Sequence, residues 1–463
     1  MFLQIVTALI SSLLAEPEFV QINGLGHSAQ EWKSRIIYQI LTDRFATNNN
    51  EAPNCNLYNY CGGTFKGIQN HLDYIKNLGM NAIWISPVIA NTDGSYHGYH
   101  ATDFYSINHH FGSADDLKNL VRACHEKDIW VMVDIVVNHV GDVGENFGRV
   151  NPFNSASHYH SRCDIKDYNN QHEVEYCRLA NLPDLDTEND WVKNQLAEWT
   201  RWLITTFDLD GLRVDTVKHV NKNFWRFFVG AVPTYLLGEV FDGRVDYIKG
   251  YTDIMPGQLH YPIYYTLLDV FRSKQSCYKI RDRLNEMKNS GIDHTVLGSF
   301  ISNHDNKRFL NMQSDWNLLK SCYAFILIAD SIPIVYYGDE QGFSGGDDPN
   351  NREPMWNSGW KQDHQLFKFI AACANARKKI GVNDALVERY VDDQFYAFSR
   401  GQVFVALTNK GSNGGDVSKR ITFHPFKAGD QLVDYISGNR VSVGSDGFVC
   451  NLKSGCPVVL VHG

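Results

Sequence analysis

The sequence predicts an α/β fold, a (β/α)₈ TIM barrel with an inserted irregular domain after strand 3 and a C-terminal antiparallel β-sandwich domain. Eight short runs rich in β-branched residues are apolar nearly throughout and alternate with amphipathic patterns, as in parallel strands that are buried on both faces. A long polar stretch interrupts this alternation, and short alternating strands with Gly-rich turns follow it near the end of the chain.

The barrel strands are expected at eight places along the chain. They begin at Ile36 (IIYQILTDRF), Ala82 (AIWISPV), Ile129 (IWVMVDIVV), Gly211 (GLRVD), Tyr235 (YLLGEV), near Met255 for a weaker one, Leu297 (LGSFISNH) and Pro333 (PIVYYGDE). An open doubly wound sheet is the alternative, but no Gly-rich phosphate loop supports it.

Helices are expected between the strands because apolar residues recur at helical spacing. Two such series are Ile68, Leu72, Ile75, Leu78 and Val192, Leu196, Trp199, Leu203. A third helix is opened by Ser113 as N-cap, with Asp116 at its third position. Cys124 lies on its apolar stripe and is expected to be a buried free thiol.

The domain boundaries follow from these breaks in pattern. We expect a signal peptide and N-terminal segment over 1–24, the barrel over 25–138 and 185–386, inserted domain B over 139–184 and the C-terminal β domain over 387–463. Residues 1–15 form an uncharged apolar run with the length of a secretory core. Secretion, to the medium or the cell surface, is therefore expected; a buried N-terminal helix is the alternative.

Ten cysteines agree with export to an oxidising compartment. Three pairs flank short loops and are predicted to form disulfides, although sequence does not determine pairing: Cys55 and Cys61, Cys163 and Cys177, Cys450 and Cys456. Cys277 and Cys322 lie in separate segments, so they can pair only through the fold.

Composition narrows the classes of partner. The chain has 43 Lys and Arg against 52 Asp and Glu, a net charge of -9, and no basic run, which argues against nucleic acid. We find no further apolar run long enough to span a membrane, so the mature chain is expected to have no membrane span. We also expect it to be a monomer. Aromatic residues make up 13% of the chain and suit the binding of sugar rings.

Charged residues collect where barrel strands end, which is where barrel enzymes place their reacting groups. Arg213 and Asp215 share one face of a strand, and Arg213 is expected to lower the pKa of Asp215, as a carboxylate nucleophile requires. Glu239 follows an apolar run and suits a proton donor, and SNHDN adds Asp305. Such carboxylates at one barrel mouth suit glycoside hydrolysis.

Four strand-end segments resemble the motifs of the α-amylase family of glycoside hydrolases, most closely those of secreted fungal α-amylases. They are VDIVVNH, GLRVDTVKH, GEVFD and SNHDN, and LPDLDT from Leu182 to Thr187 adds a further match. The resemblance implies retaining endo-hydrolysis of α-1,4-glucosidic bonds in starch- or glycogen-type glucans. It makes Asp215 the nucleophile, Glu239 the general acid/base and Asp305 the stabiliser of the transition state.

The resemblance also assigns residues that contact substrate. Arg213 is the nucleophile's partner; Tyr99, His139 and His304 contact the sugar beside the cleaved bond; Asp348 and Arg352 hold the neighbouring glucose; Lys218, His219, Asp242 and Gly243 contact the leaving-group side. One departure is His100, where the fungal enzymes typically have Trp; we expect an altered grip on the donor side of the cleft.

A structural Ca²⁺ is expected between barrel and insertion. Asn138, Glu175 and Asp184 supply hard oxygen ligands, and the resemblance adds the backbone carbonyl of His219. The alternative is that Glu175 and Asp184 are solvated loop acids. Zinc is disfavoured because no His/Cys cluster has the right spacing.

Two rival functions stay open. A 4-α-glucanotransferase shares the first step of a retaining mechanism, and Phe241 adds an aromatic face on the acceptor side that can stack an incoming sugar. A non-catalytic glucan-binding homologue is the other rival, and the intact set of Asp215, Glu239 and Asp305 speaks against it.

Overall fold

A computed structural model describes residues 25–463. The expected signal peptide lies outside these residues. The strands are β1 Ile37–Ile40, β2 Ala82–Ile85, β3 Ile89–Asn91, β4 Ala101–Ile107, β5 Trp130–Ile135, β6 Gly211–Val214, β7 Tyr235–Gly238, β8 Gly298–Ser299, β9 Ile332–Tyr336, β10 Leu386–Val391, β11 Phe395–Arg400, β12 Val403–Thr408, β13 Val417–Ile421, β14 Gln431–Asp434, β15 Arg440–Ser442, β16 Phe448–Leu452 and β17 Val458–His462.

The α-helices lie mainly between the barrel strands. They are α1 Ala29–Trp32, α2 Thr42–Phe45, α3 Phe65–Asn70, α4 Leu72–Asn77, α5 Ala114–Glu126, α6 Gln171–Tyr176, α7 Asp190–Phe207, α8 Lys222–Ala231, α9 Val245–Thr252, α10 Tyr261–Leu267, α11 Tyr278–Ser290, α12 Phe309–Met312, α13 Trp316–Ile328 and α14 Gln365–Arg377. None of the helices in the described part of the chain has the length and apolarity to cross a membrane.

Seven parallel strands form the barrel sheet in the order β7-β6-β5-β2-β1-β9-β8. The segment near Met255 forms no regular strand, but Gln258 and Leu259 make parallel bridges to Gly238 and Gly298 and so close the gap between β7 and β8. The peptide N–H of His260 donates to the Gly298 carbonyl at 2.8 Å. The barrel prediction is confirmed. At one of the eight strand positions, isolated bridges take the place of a regular strand.

Local departures from the predicted elements have physical causes. The run from Ile36 ends as a strand at Ile40 and continues as α2. The series from Ile68 to Leu78 forms two helices, α3 and α4, which break at His71, where the backbone leaves the helical region. The series from Val192 to Leu203 lies on the buried face of α7, as predicted.

The chain between β5 and α7 contains little regular structure. It holds α6, three single-turn 3₁₀ helices and the Cys163–Cys177 disulfide. Its closing residue Asp184 forms an antiparallel bridge with His139. The two ends of the insertion are therefore tied together beside the barrel mouth.

The C-terminal β domain has an apolar core of its own. Its six-stranded sheet has the order β10-β11-β12-β17-β14-β15, and β13 pairs with β16 in a second sheet. Phe395 and Phe404 from the larger sheet pack in one buried cluster with Phe448 and Leu452 from the smaller one. This is the antiparallel sandwich that the sequence predicts.

Two of the three predicted disulfides are present, Cys55–Cys61 and Cys163–Cys177. The Cys450–Cys456 prediction is wrong in this structure: both thiols are free, because Cys450 faces the sandwich core on β16 while Cys456 is half-buried before β17. Cys277 and Cys322 are also free and buried. Cys124 is a buried free thiol, as predicted.

The structure confirms the N-cap that the sequence predicts for α5. The Ser113 hydroxyl accepts from the Asp116 backbone N–H at 3.1 Å, and the Asp116 carboxylate accepts from the Ser113 N–H at 2.8 Å. Ser113→Ala removes one arm of this box and should lower the free energy of unfolding by about 1 kcal/mol. Urea unfolding measures it, with Lys118→Ala on the same helix as the control. Equal losses in both variants would contradict the assigned cap.

Candidate active site

Arg213 forms the centre of a buried network of charges. It lies on β6 with its side chain fully buried. Its Nη1 donates to both oxygens of Asp134 at 3.0 Å and to Asp215 Oδ1 at 2.7 Å. Its Nη2 lies 3.0 Å from Glu239 Oε1. One guanidinium thus contacts three carboxylates, and a buried cation requires such partners.

Adjacent strand ends bring the carboxylates of Asp215 and Glu239 together. Asp215 directly follows β6, and Glu239 directly follows β7. The Glu239 N–H donates to the carbonyl of Val214 at 2.8 Å, which continues the pairing of the two strands beyond their regular part. Thr216 has a left-handed backbone, and its N–H donates to Glu239 Oε2 at 3.0 Å. The Glu239 carboxylate is therefore held from two sides.

Asp305 comes from the far side of the barrel mouth. It follows β8, and its N–H donates to the side chain of Asn303 at 2.9 Å. Arg352 Nη2 lies 3.6 Å from Asp305 and its Nη1 lies 3.0 Å from Asp348. The predicted pair Asp348 and Arg352 is thus formed and also contacts the third carboxylate.

An aromatic and imidazole layer covers the network. The Tyr99 hydroxyl donates to Asp134 at 2.8 Å and lies 2.7 Å from His304 Nε2, while the two rings stack with centroids 5.3 Å apart. His139 Nε2 lies 3.2 Å from the Tyr99 carbonyl. Burial lowers the pKa of His139 to about 3, and burial and nearby arginines lower that of His304. Both imidazoles are neutral at pH 7.

The pKa of Asp215 differs from the sequence-based expectation. Arg213 does act to lower it, but burial is the larger influence, and Glu239, Asp134 and Asp305 act in the same direction as burial. The pKa of the unliganded Asp215 therefore lies above its ordinary value. The expectation considered only the effect of Arg213 on this pKa and left out burial and the three neighbouring carboxylates.

These groups open onto one cavity of about 440 Å³. Eight predicted site residues line it: Tyr99, His139, Asp215, Lys218, His219, Glu239, His304 and Asp305. Tyr168, Thr216, Leu179, Ala180, Leu182 and Phe241 complete the wall. A space of this size, lined by carboxylates and aromatic rings, suits part of an oligosaccharide.

Five of the predicted catalytic and substrate-binding residues do not line this cavity: Arg213, which lies beneath it in the charge network, and Asp242, Gly243, Asp348 and Arg352. His100 does not line it either. Asp242 pairs with Arg244 at 2.7 Å, while the place of Gly243 is beside the Tyr265 ring, which an added Cβ would approach to 2.6 Å. Asp348 and Arg352 contact each other, and Arg352 also contacts Asp305. His100 is half-buried, and its Nδ1 lies 2.8 Å from the Ser95 hydroxyl.

Two supporting residues were not assigned from sequence. Asp134 is fully buried and accepts from Trp84, Tyr99 and Arg213. Gln39 on β1 lies 2.7 Å from His304 Nδ1 through its amide nitrogen. The available signal was a polar residue inside an apolar strand, IWVMVDIVV or IIYQIL, since such a residue is costly to bury without a partner.

The four predicted calcium ligands lie on segments that meet where the insertion joins the barrel. The Leu185 N–H donates to the Asn138 carbonyl at 2.8 Å, which sets Asp184 beside the end of β5. Gln171 Nε2 donates to both Glu175 at 2.8 Å and the Lys218 carbonyl at 3.0 Å. The donor set is carboxylate, amide and carbonyl oxygen, which fits Ca²⁺.

Asp184 is a buried carboxylate whose surroundings favour a nearby positive charge. It is buried, and burial raises its pKa to about 7 despite a 2.6 Å contact with His160 Nδ1. A cation beside this carboxylate offsets the cost of burying it. His160, Asp186 and Glu188, none of them predicted as ligands, also offer ligand atoms within 4.8 Å of one another.

The comparisons with known proteins agree with this geometry. The model of the α-amylase catalytic domain matches residues 39–397, and that of α-amylase domain C matches 388–463. The α-amylase of Saccharomycopsis fibuligera is 38% identical over 459 residues, covering 94% of this chain and 92% of its own.

Solved structures are similar over nearly the whole chain as well. An α-amylase from Malbranchea cinnamomea superposes with a TM-score of 0.90 at 36% identity, covering 94% of this chain and 97% of its own. The cyclomaltodextrin glucanotransferase CldA, with a three-domain ABC distribution, gives 0.82 at 26% identity, covering 92% and 98%.

The chain therefore belongs to the α-amylase family. It is a glycosidase of the type that hydrolyses internal bonds of α-glucans. Enzymes of this family generally bind calcium.

Asp134 gives a test of the arginine network. Asp134→Asn keeps the shape but leaves Arg213 with one partner charge fewer, so the guanidinium should hold Asp215 and Glu239 less well. We expect kcat/KM on soluble starch to fall by about ten- to a hundredfold, the worth of one charge-assisted hydrogen bond. Asp128→Asn, on the exposed turn before the same strand, is the control. Unchanged kcat/KM in a folded Asp134→Asn protein would mean that Asp134 does not position the network.

Proposed function

We propose that the protein is a retaining endo-acting α-amylase in which Asp215 is the nucleophile, Glu239 the general acid/base and Asp305 the stabiliser of the transition state. The observation that carries this proposal is Arg213, whose two terminal nitrogens contact Asp215 and Glu239 at the mouth of one cavity. A retaining mechanism needs two carboxyl groups with different tasks on either side of the scissile bond.

The first step forms a bond between Asp215 and the anomeric carbon and breaks the bond to the leaving oxygen, which Glu239 protonates. Entry of a sugar that becomes oxocarbenium-like adds positive charge near Asp215 and displaces water. That charge favours the ionised nucleophile, which burial disfavours in the free enzyme. Glu239 then takes a proton from water, which attacks the anomeric carbon and releases Asp215.

The neutral imidazoles suit the recognition of sugar hydroxyls. An uncharged imidazole has one donor and one acceptor. Both ring nitrogens of His304 have partners in the free enzyme, Gln39 and Tyr99, so a sugar hydroxyl that contacts His304 takes the place of one of them. We propose that His139, His304 and Tyr99 contact the sugar on the donor side of the bond, with Asp348 and Arg352 holding the next glucose. Lys218, His219, Asp242 and Gly243 are proposed for the leaving-group side, where Lys218 Nζ donates to the Phe241 carbonyl at 3.1 Å.

Substitution of the two reactive carboxyls tests the assignment. Asp215→Asn and Glu239→Gln should each lower kcat on soluble starch by at least about three orders of magnitude, because each removes a group that acts only in the chemistry. The exposed Asp208→Asn and Glu198→Gln make the same chemical changes elsewhere and should leave kcat unaltered. Near wild-type turnover in either site variant would show the roles to be wrong.

We further propose that Asn138, Glu175, Asp184 and the His219 carbonyl hold a structural Ca²⁺. When bound, the ion neutralises negative charge where the insertion joins the barrel. It takes no part in the bond cleavage. His219 lies four residues after Asp215, so order at this junction extends to the catalytic mouth.

Chelation tests the calcium proposal. A ligand that binds only the folded state stabilises it by about 2.7 kcal/mol at a hundredfold excess over its Kd, so EDTA should lower the melting midpoint. Asp184→Asn should melt at the lower midpoint with or without EDTA. Glu173→Gln, on the same helix as Glu175, should respond to EDTA as the wild type does. A midpoint that EDTA leaves unmoved in the wild type would argue against the site.

We also propose that the protein is exported. We propose that it divides into barrel, domain B and β domain over the ranges predicted from the sequence. Two disulfides in the described chain and the apolar run over 1–15 support export.

Transfer to a second glucan is the alternative outcome of the same intermediate. Phe241 lines the cavity, is 38% exposed and stacks on Tyr261 with centroids 4.5 Å apart. A ring held in this way can stack an incoming sugar and favour it over water. The similarity to a glucanotransferase also supports this alternative.

Incubation with concentrated maltoheptaose distinguishes the two outcomes. We expect shorter maltooligosaccharides to dominate the early products by chromatography, with a minor longer fraction that Phe241→Leu reduces. Phe423→Leu replaces an exposed phenylalanine of the β domain and should leave the product pattern unchanged. Longer products as the main early outcome would make the enzyme a transferase.

A further inference from the structure

A second, basic cavity lies at the end of the barrel opposite to the catalytic mouth. It has a volume of about 240 Å³ and is lined by Lys33, Ser34, Ile36, Asn81, Arg377, Lys378, Ile380, Val382 and Arg400. Residues 33–36 precede β1, and Asn81 precedes β2, whereas the catalytic carboxylates follow strand ends. Arg400 ends β11, so the β domain contributes one wall.

The charges around this cavity are unbalanced. Four of its lining residues are basic, and none of the described residues that line it is acidic. Two carboxylates act on the arginines from outside the lining, Asp330 on both and Asp384 on Arg400. The oxygens of Asp330 already accept from His294 Nε2 at 3.1 Å and the Leu386 N–H at 2.9 Å, and Asp384 accepts from the Gly381 N–H at 2.9 Å. Burial and the neighbouring Arg400 lower the pKa of Arg377 to about 9.

The two arginines retain donors after their backbone partners are counted. Arg377 donates through its terminal nitrogens to the carbonyls of Leu327, Ala329, Ser331 and Lys33. Arg400 donates to the carbonyls of Asp384, Ala329 and Val382. Each guanidinium has five N–H groups, so one on Arg377 and two on Arg400 are left over.

The two lysines are also weakly engaged. Lys33 has a side chain only 13% exposed, and its Nζ lies 4.0 Å from Asp293, which is too far for a hydrogen bond. Lys378 Nζ donates to Asn375 at 3.2 Å. The Lys33 ammonium, which is largely withdrawn from water, gains most from an anionic partner. Lys378 is exposed and adds a second positive charge at the opening.

We propose that this cavity binds a phosphate-class oxyanion, either free phosphate or the phosphate monoester of a sugar. Guanidinium groups match the oxygen geometry of phosphate, and lysines add charge without directional demand. The volume exceeds that of a single small ion, and Ile380 and Val382 provide an apolar wall beside the cations. The bound anion bridges the barrel and the β domain.

The experiment is calorimetric titration of the full-length protein at constant ionic strength, with inorganic phosphate in one arm and glucose 6-phosphate in the other. We expect saturable binding in at least one arm, and a higher melting midpoint with that ligand than with chloride. Tighter binding of the ester assigns the site to sugar phosphates, and equal or weaker binding assigns it to phosphate. Starch hydrolysis should be unaffected by the Lys33→Gln change, since the cavity is at the opposite end of the barrel.

The variants avoid the arginines, whose bonds to backbone carbonyls make them necessary for packing. Lys33→Gln with Lys378→Gln should weaken binding by about tenfold or more, the loss expected for charge-assisted hydrogen bonds. Lys118→Gln, at an exposed position of helix α5, should bind as the wild type. Absence of saturable binding in both arms, or an unchanged affinity in the double variant, would overturn the proposal.

Discussion

Burial of the Arg213 guanidinium is the constraint on which the catalytic mouth depends. An unpaired cation at this depth would destabilise the fold severely, so Asp134, Asp215 and Glu239 must converge on it. They come from three adjacent strands, β5, β6 and β7, whose parallel register places their carboxyl ends side by side. The requirement of the fold for charge balance and the requirement of catalysis for two close carboxyl groups are thus met by the same contacts.

The surroundings of this network divide the work between charge and hydrogen bonding. Neutral His139 and His304, together with Tyr99, present polar atoms without adding positive charge that would compete with Arg213 for Asp215. The raised pKa of free Asp215 is consistent with a site that becomes electrostatically balanced only when a sugar carrying positive charge occupies it. Aromatic side chains, among them Tyr168 and Phe241, line the same cavity and offer surfaces on which a sugar ring can stack.

A similar balance governs the two junctions of the barrel. Where the insertion returns, buried Asp184 adds negative charge that one histidine only partly offsets. Where the β domain meets the opposite end of the barrel, Arg377 and Arg400 add positive charge that backbone carbonyls only partly offset. We propose an ion of the opposite sign at each junction, where it would join two parts of the chain.

The sequence by itself determined the architecture and the family, and it singled out the proposed catalytic acids Asp215, Glu239 and Asp305, which line one cavity. Apolar strands alternating with amphipathic helices leave few alternatives to a barrel, and acids at strand ends necessarily meet at one mouth. Only the tertiary structure decided the rest. It revealed Asp134 and Gln39 as supports, left Cys450 and Cys456 unpaired, closed the barrel through bridges at Gln258 and Leu259, and raised rather than lowered the pKa of Asp215. These outcomes depend on burial and on neighbours distant along the chain. A polar residue in an apolar strand, such as Asp134 or Gln39, signals that a buried partner is needed but does not identify it, and local pattern does not specify the other outcomes.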